Sequence, residues 1–263
     1  MPVVCFGSPK GGVGKTTLAA NIGVALHRLG WRVLAIDFDG QNALRLHFEL
    51  PSEDVNGIAT ELEGGRDWTE LVVETPSGVF LIPFGAVSAA ATVRMQAHTA
   101  QNPGWIRRQL EPFFEYRDLI VLADMPPGPS YYHAELDPVT DLHLAVLLAD
   151  AMSLALLPKL QNGDFLFDRR GAEPLPGGGH ANNGFRLGYV LNQIDQRRQL
   201  CRDVLALSQD LLGDDLYGTV HHDEAVAEAV ACQLTVLDYA PDSVASHDLT
   251  AVAHRVDLTL KSA

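Results

Sequence analysis

The sequence predicts an α/β fold: a doubly wound, mostly parallel β-sheet flanked by helices, with residues 1–263 forming a single domain. Three observations lead there. Short apolar runs ending in Gly, Asp or Asn alternate with stretches of helical spacing, an order that builds parallel sheets by crossover. The first crossover carries "SPKGGVGKTT" (8–17), a glycine turn where such folds bind phosphate. No repeat and no linker divides the chain.

"VVCFG" (3–7) reads as a buried parallel strand ending in glycine. Leu18, Ile22, Ala25, Leu26 and Leu29 recur at helical spacing, and Gly30 supplies the stop. "RVLAIDFD" (32–39) is the next strand and ends in acids, completing a βαβ opening. Further strands are expected at 79–85, at 118–128 ending on Asp124, at 142–148 and at 185–192. Helices are expected near 104–116, 150–158, 197–212, 223–232 and 243–260. Residues 168–184 are rich in Gly, Pro and Asn and read as a loop.

Composition narrows the function. The net charge of −14 opposes non-specific attraction to DNA or anionic lipid. Arginine pairs at 107–108, 169–170 and 197–198 are isolated and read as solvated surface. Three cysteines, Cys5, Cys201 and Cys232, lack metal-ligand spacing and fit a reduced, cytoplasmic protein. The N-terminus lacks signal-peptide character, and no apolar run approaches the roughly 20 residues of a membrane span.

The phosphate loop is the strongest motif. Glycines let several backbone N–H groups converge on phosphates, and the following helix N-terminus adds positive potential. Gly11, Gly12, Val13, Gly14, Lys15, Thr16 and Thr17 are the expected nucleotide contacts. Lys15 is placed to reach the β- and γ-phosphates, Thr16 to offer its hydroxyl to Mg²⁺, and Thr17 to reach another phosphate. The general pattern wants glycine at position 9, where this chain has Pro9. Asp124 ends an apolar strand before "MPPG" and reads as the acid that holds Mg²⁺ directly or through water. Asp37 and Asp39 lie two apart at a strand end and share a face. They are either site acids or caps of the next turn.

"KGGVGKTT" resembles the deviant phosphate loop of the ParA/MinD family of ATPases, in which the early lysine is a signature. The resemblance implies a dimer formed face to face around two ATPs, with Lys10 reaching the partner's nucleotide. A cation supplied in trans would neutralise charge on the transferring phosphoryl group. The plain alternative for Lys10 is a solvated loop lysine. The resemblance also implies that Asp39 positions the attacking water and that Asp37 lies near the magnesium shell. The catalytic set is then Asp39, Lys10 and Lys15, and the metal set Thr16, Asp124 and Asp37. "DMPPG" fits the second switch of the family, with the Gly128 N–H aimed at the γ-phosphate. Asn192 resembles the family's adenine-binding asparagine, its alternative being a strand-end turn residue. "NQID" also resembles a guanine-reading motif with Asp195 in the base position, but lacks that motif's lysine, so ATP is favoured. His222 and Asp223 match the loop that lines the base, and Asp223 alternatively caps the next helix.

Within that family, "NALRLHF", "GRDWTEL" and "LIPFG" resemble the MinD-like branch encoded with bacterial cellulose synthase, the BcsQ proteins. The chain departs from that branch at His222, where relatives often carry Arg, and in the 168–184 loop. The resemblance implies a Mg²⁺-dependent, regulatory ATPase and an ATP-linked homodimer. Its implied partners are the small companion protein BcsR and cytoplasmic components of the cellulose synthase complex. The tail "DLTAVAHRVDLTLKSA" lacks a basic cluster, so membrane association would be indirect, with recruitment to the inner membrane or cell pole by partners. No specific nucleic acid is expected. The competing readings are a ParA-type DNA- or cargo-partitioning ATPase and a small-substrate synthetase built on the same loop.

Overall fold

The computed structural model describes residues 1–51, 53–62, 66–161 and 186–262. Eight strands form one sheet: β1 (Val3–Gly7), β2 (Arg32–Asp37), β3 (Val73–Glu74), β4 (Phe80–Ile82), β5 (Leu119–Asp124), β6 (Leu142–Leu148), β7 (Arg186–Ile194) and β8 (Leu216–His221). Their order across the sheet is β3-β4-β2-β5-β1-β6-β7-β8. Among the described residues only the β3–β4 pair is antiparallel, so the expected mostly parallel, doubly wound sheet is what forms. Strands up to β5 lie on one side of β1 and later strands on the other, which makes the carboxyl end of β1 the switch point of the sheet.

Helices cover both faces. α1 (Lys15–Arg28), α7 (Glu224–Ala231), α8 (Val236–Tyr239) and α9 (Val244–Lys261) share a core with Val4, Phe6, Val33 and Leu122. The residues expected to face inward from α1, Leu18, Ile22 and Leu26, are fully buried there. Each contributes roughly 1.5–3 kcal/mol by leaving water. α2 (Ala89–Gln101), α3 (Trp105–Leu110) and α4 (Tyr131–Leu136) pack on the opposite face with Ile36, Phe38 and Val121. α5 (Ala151–Gln161) and α6 (Gln199–Leu212) complete that face over β6 and β7.

The structure adds elements that the pattern does not predict. α2 buries only Ala91, Met95 and Thr99, so its inward stripe has one large apolar residue and reads as polar in sequence. β8 is interrupted by Gly218, where a side chain would collide with Val252 of α9, so the apolar run is broken where packing is tightest. The helix expected over 104–116 is shorter: it ends at Leu110 and passes into a 3₁₀ turn containing Pro112. The second strand stops at Asp37 rather than at residue 39, and the strand expected at 185–192 runs on to Ile194. The expected loop 168–184 lies outside the described residues.

Candidate nucleotide site

The phosphate loop joins the carboxyl end of β1 to the N-terminus of α1, at the switch point. Gly12 and Gly14 adopt φ of 74° and 89°, the left-handed region that L side chains rarely enter. Gly14 also packs against Asn192 so closely that any side chain would run into the asparagine amide. Lys15 opens α1 with a buried side chain. Thr16 Oγ1 donates to Asp124 Oδ2 at 2.6 Å, joining the helix start to the end of β5. Thr17 lends its backbone carbonyl to Asn21 Nδ2 at 2.8 Å. Asn21 Oδ1 in turn accepts from Val236 N, so the first turn of α1 is pinned from behind.

Two carboxylates stand side by side beneath the loop. Asp37 and Asp124 are register partners on β2 and β5, and both are buried. Burial, and then the charge of Asp124, hold the Asp37 carboxyl well above the usual carboxylate range, against two backbone hydrogen bonds that lower it. Burial likewise pushes Asp124 up to about 7, opposed by the Thr16 hydrogen bond and the Lys15 charge. Asp37 spends both oxygens on backbone, accepting from Asp39 N at 2.9 Å and Leu44 N at 3.1 Å. Its visible work is to brace the loop 37–44 rather than to face a metal. Asp124 Oδ1, by contrast, is buried with no hydrogen-bond partner among the described residues.

An orphaned carboxylate oxygen beside a threonine hydroxyl fits a magnesium ion. No cluster of three or more His, Cys, Asp or Glu able to hold a metal occurs among the described residues. Mg²⁺ needs only one or two protein groups besides phosphates and water. Thr16 and Asp124 are the residues that would hold it. When bound, it would neutralise charge on the phosphates.

Asp39 is half-buried at the rim of a groove of about 370 Å³, lined by Phe38, Gly40, Pro126, Pro127 and Tyr132 among others. Its Oδ1 accepts from Gln41 N at 3.0 Å, so the carboxylate keeps a second oxygen for another contact. The groove therefore sets Asp39 between the two loops expected to respond to nucleotide.

Other expected contacts are placed differently. Gly128 N donates to Ser8 O at 2.8 Å and not into the phosphate space, tying the "DMPPG" loop to the phosphate loop. Asn192 ties β7 to the phosphate loop, Nδ2 donating to Val13 O at 2.8 Å. Asp223 caps α7 by accepting from Ala225 N and also accepts from Ala245 N of α9, so both its oxygens do structural work. His222 is exposed, and its N–H donates to Ile194 O. Asp195 is paired with Arg197.

Sequence reasoning misses Asp150. It lies just past the carboxyl end of β6, and its Oδ2 accepts from Lys10 Nζ at 2.6 Å. The rule that selects Asp37, Asp124 and Asn192, a polar residue closing an apolar strand, applies equally to "LHLAVLLAD" and would find it.

Known proteins match this architecture. The family model for the cellulose biosynthesis protein BcsQ matches residues 1–167 and 184–256. The cellulose biosynthesis protein BcsQ of Salmonella typhimurium is 29% identical over 256 residues, covering 97% of this chain and 93% of that protein. Among solved structures, the septum site-determining protein MinD of Pyrococcus horikoshii, complexed with Mg-ADP, superposes with a TM-score of 0.73. It has 21% identity, covering 97% of this chain and 96% of that one. Cobyrinic acid a,c-diamide synthase of Mycobacterium smegmatis, with bound ATP analogue and magnesium, gives 0.74 at 19% identity, covering 100% and 96%. At these identities the two structural likenesses establish the fold.

Proposed function

The chain belongs to the family of the cellulose biosynthesis protein BcsQ, and on that premise we propose that it is an ATP-driven dimeric switch for cellulose secretion. In this reading residues 1–263 act as one ATPase domain. Binding of Mg-ATP closes two copies face to face, and slow hydrolysis reopens them. The closed dimer assembles, regulates or localises the inner-membrane cellulose synthase from the cytoplasm, together with a companion protein such as BcsR.

The observation that carries this reading is the division of labour between two lysines. Lys15 is buried at the start of α1, where a nucleotide's own phosphates would lie. Lys10 instead leaves the loop, half-buried, and is held by a surface acid. Its ammonium would reach a second copy once this partly exposed ion pair opened. Asp39 would orient the attacking water, and Thr16 and Asp124 would hold the magnesium ion. Asn192, whose amide braces Val13, would make the adenine contact. The face-to-face dimer, the partners and the hydrolytic cycle are inferences from the family and from these placements.

Size measurement with ATP, ADP and no nucleotide tests it. Wild type should dimerise only with ATP, and Lys10→Ala should stay monomeric while still binding ATP. A Lys10→Ala chain that dimerises as readily as wild type would sink the trans role. ATP-dependent retention on DNA at physiological salt would favour a partitioning ATPase instead. Among the described residues no helix is long and apolar enough to cross a membrane.

A further inference from the structure

α6 carries a buried apolar face and, beside it, an apolar strip left exposed among the described residues. Cys201, Val204, Ser208 and Leu212 face inward. Leu200, Leu207 and Leu211 are 49%, 48% and 58% exposed. Val204 completes the four–three–four spacing of a coiled-coil seam with these leucines but is itself buried at the edge of the inward face, so the exposed strip is the three leucines alone. Seven and eleven residues are close to two and three whole helical turns, so the three leucines fall on one narrow strip. Singly exposed leucines are ordinary, whereas three aligned on one helix form a patch of the kind that binds partners.

The flank of the strip names the chemistry of the occupant. In the same heptad frame Asp203 and Asp210 occupy equivalent flanking positions one heptad apart. Both are exposed, and neither is paired with a cation among the described residues. Arg202 sits on the far side of the helix, held by Gln196 and Gln199, and Gln199 Nε2 in turn donates to Asp203 Oδ1 at 2.6 Å, which leaves Asp203 Oδ2 for a partner. A second copy of α6 packed antiparallel would set these acids against each other, and a parallel copy would offer them only Cys201 and Ser208. Neither arrangement gains an opposite charge.

We propose that the outer strip of α6 docks a basic amphipathic helix of a partner protein, with apolar anchors on Leu200, Leu207 and Leu211 and lysines or arginines against Asp203 and Asp210. Helix-in-groove recognition uses this anchor spacing, and the acids fix register and partner sign. α6 follows directly from the β7 end that bears Asn192, so such a partner would sit beside the nucleotide site without contacting its phosphate loop. The proposal stands on this surface alone and does not depend on ATP-driven dimerisation.

The probe is a synthetic amphipathic helix with a leucine seam and lysine flanks, titrated by calorimetry into the full chain. Wild type should bind it. Leu207→Glu/Leu211→Glu and Asp203→Lys/Asp210→Lys should each weaken binding at least about tenfold. Glu111→Lys/Glu115→Lys, an equal charge change on the same face but over the other half of the sheet, should not. All these positions are exposed, and unchanged thermal midpoints will confirm that the variants fold. Equal losses from both charge pairs would overturn the proposal as non-specific attraction to an acidic chain. So would equal binding of a glutamate-flanked peptide. Conversion of a nucleotide-free dimer to monomer by the leucine variants would assign the strip to a second copy and overturn it. Binding only after deletion of residues 168–184 would assign the strip to the chain itself and overturn the proposal as well.

Discussion

Lys10 Nζ stands 2.6 Å from Asp150 Oδ2 within one chain, so the lysine proposed to serve a second subunit is already engaged in its own. The pair is partly exposed, and such pairs contribute about 0.2–1 kcal/mol. Releasing it therefore costs a few-fold in affinity rather than forbidding closure. Asp150→Ala should lower the ATP concentration at half-maximal dimerisation by up to about fivefold, the factor equivalent to 1 kcal/mol. Sedimentation across an ATP titration measures it. An unchanged midpoint would show that the ion pair does not compete with dimerisation.

Lys15 and Thr16 separate nucleotide binding from metal binding. Lys15→Ala removes the buried cation at the start of α1, and ATP binding by calorimetry should fall below detection. Thr16→Ala removes the donor to Asp124 Oδ2 and leaves both carboxylate oxygens without a partner. Its ATP affinity should lose dependence on added Mg²⁺, and its stability should drop by about 1–3 kcal/mol, the cost of a buried unpaired group. A Thr16→Ala chain with wild-type magnesium dependence would remove Thr16 from the metal site.

Asp39 is expected to act on turnover alone. Its carboxylate bonds only Gln41 N among the described residues and sits at a groove rim rather than in the core. Asp39→Ala should therefore fold and bind ATP normally while turnover falls by about 10²-fold or more, as when a group that positions the nucleophile is lost. The ATP-bound dimer should then persist. Phosphate release and dimer lifetime, measured together, check this, and wild-type turnover would reject the assignment.

How much of this is legible in sequence follows from the range of each interaction. β1, α1, β2, β5 and β6 can be read because each is a local apolar pattern closed by Gly, Asp or Leu. The phosphate loop can be read because its chemistry lies within ten consecutive residues. What stays hidden depends on register between distant strands. Nothing local says that Asn192 will brace Val13, or that Gly128 will spend its N–H on Ser8. By position Asp37 reads as a metal acid, yet its oxygens go to Asp39 N and Leu44 N, contacts set by the turn that follows. α2 escapes because its buried stripe, Ala91, Met95 and Thr99, carries only one large apolar residue.

Gly14 couples two of these features, and one substitution tests both. Its φ of 89° strains any L residue, and a side chain there would strike Asn192. Gly14→Ala should cost about 1–3 kcal/mol from backbone strain alone and should abolish ATP binding. Gly14→Ala/Asn192→Ala should relieve the collision but not the strain, recovering stability only in part. Full recovery would mean that the clash, and not the left-handed backbone, requires glycine.

His47 supplies a pH test that can be separated from the site acids. It ends the 3₁₀ turn Leu44–His47, next to the loop that Asp37 braces, and its Nδ1 is buried without a partner among the described residues. Burial pulls its pKa down to about 4. The unfolded imidazole titrates near its ordinary value of 6.5, so the unfolded chain takes up the proton first. The stability contributed by neutral His47 is complete above pH 6.5 and is lost as pH falls toward 4, at about 1.4 kcal/mol per unit. Asp124, raised to about 7, works in the opposite sense, because its folded form gains the proton first. Asp37, His133 and His143 are also shifted by burial, so the wild-type profile mixes several groups, and the informative quantity is the difference between wild type and His47→Gln, which cannot titrate. In urea melts from about pH 7 to about pH 4, the variant should gain on wild type by that slope below pH 6.5. A difference that stays flat would mean that the imidazole accepts its proton without unfolding the 44–47 turn.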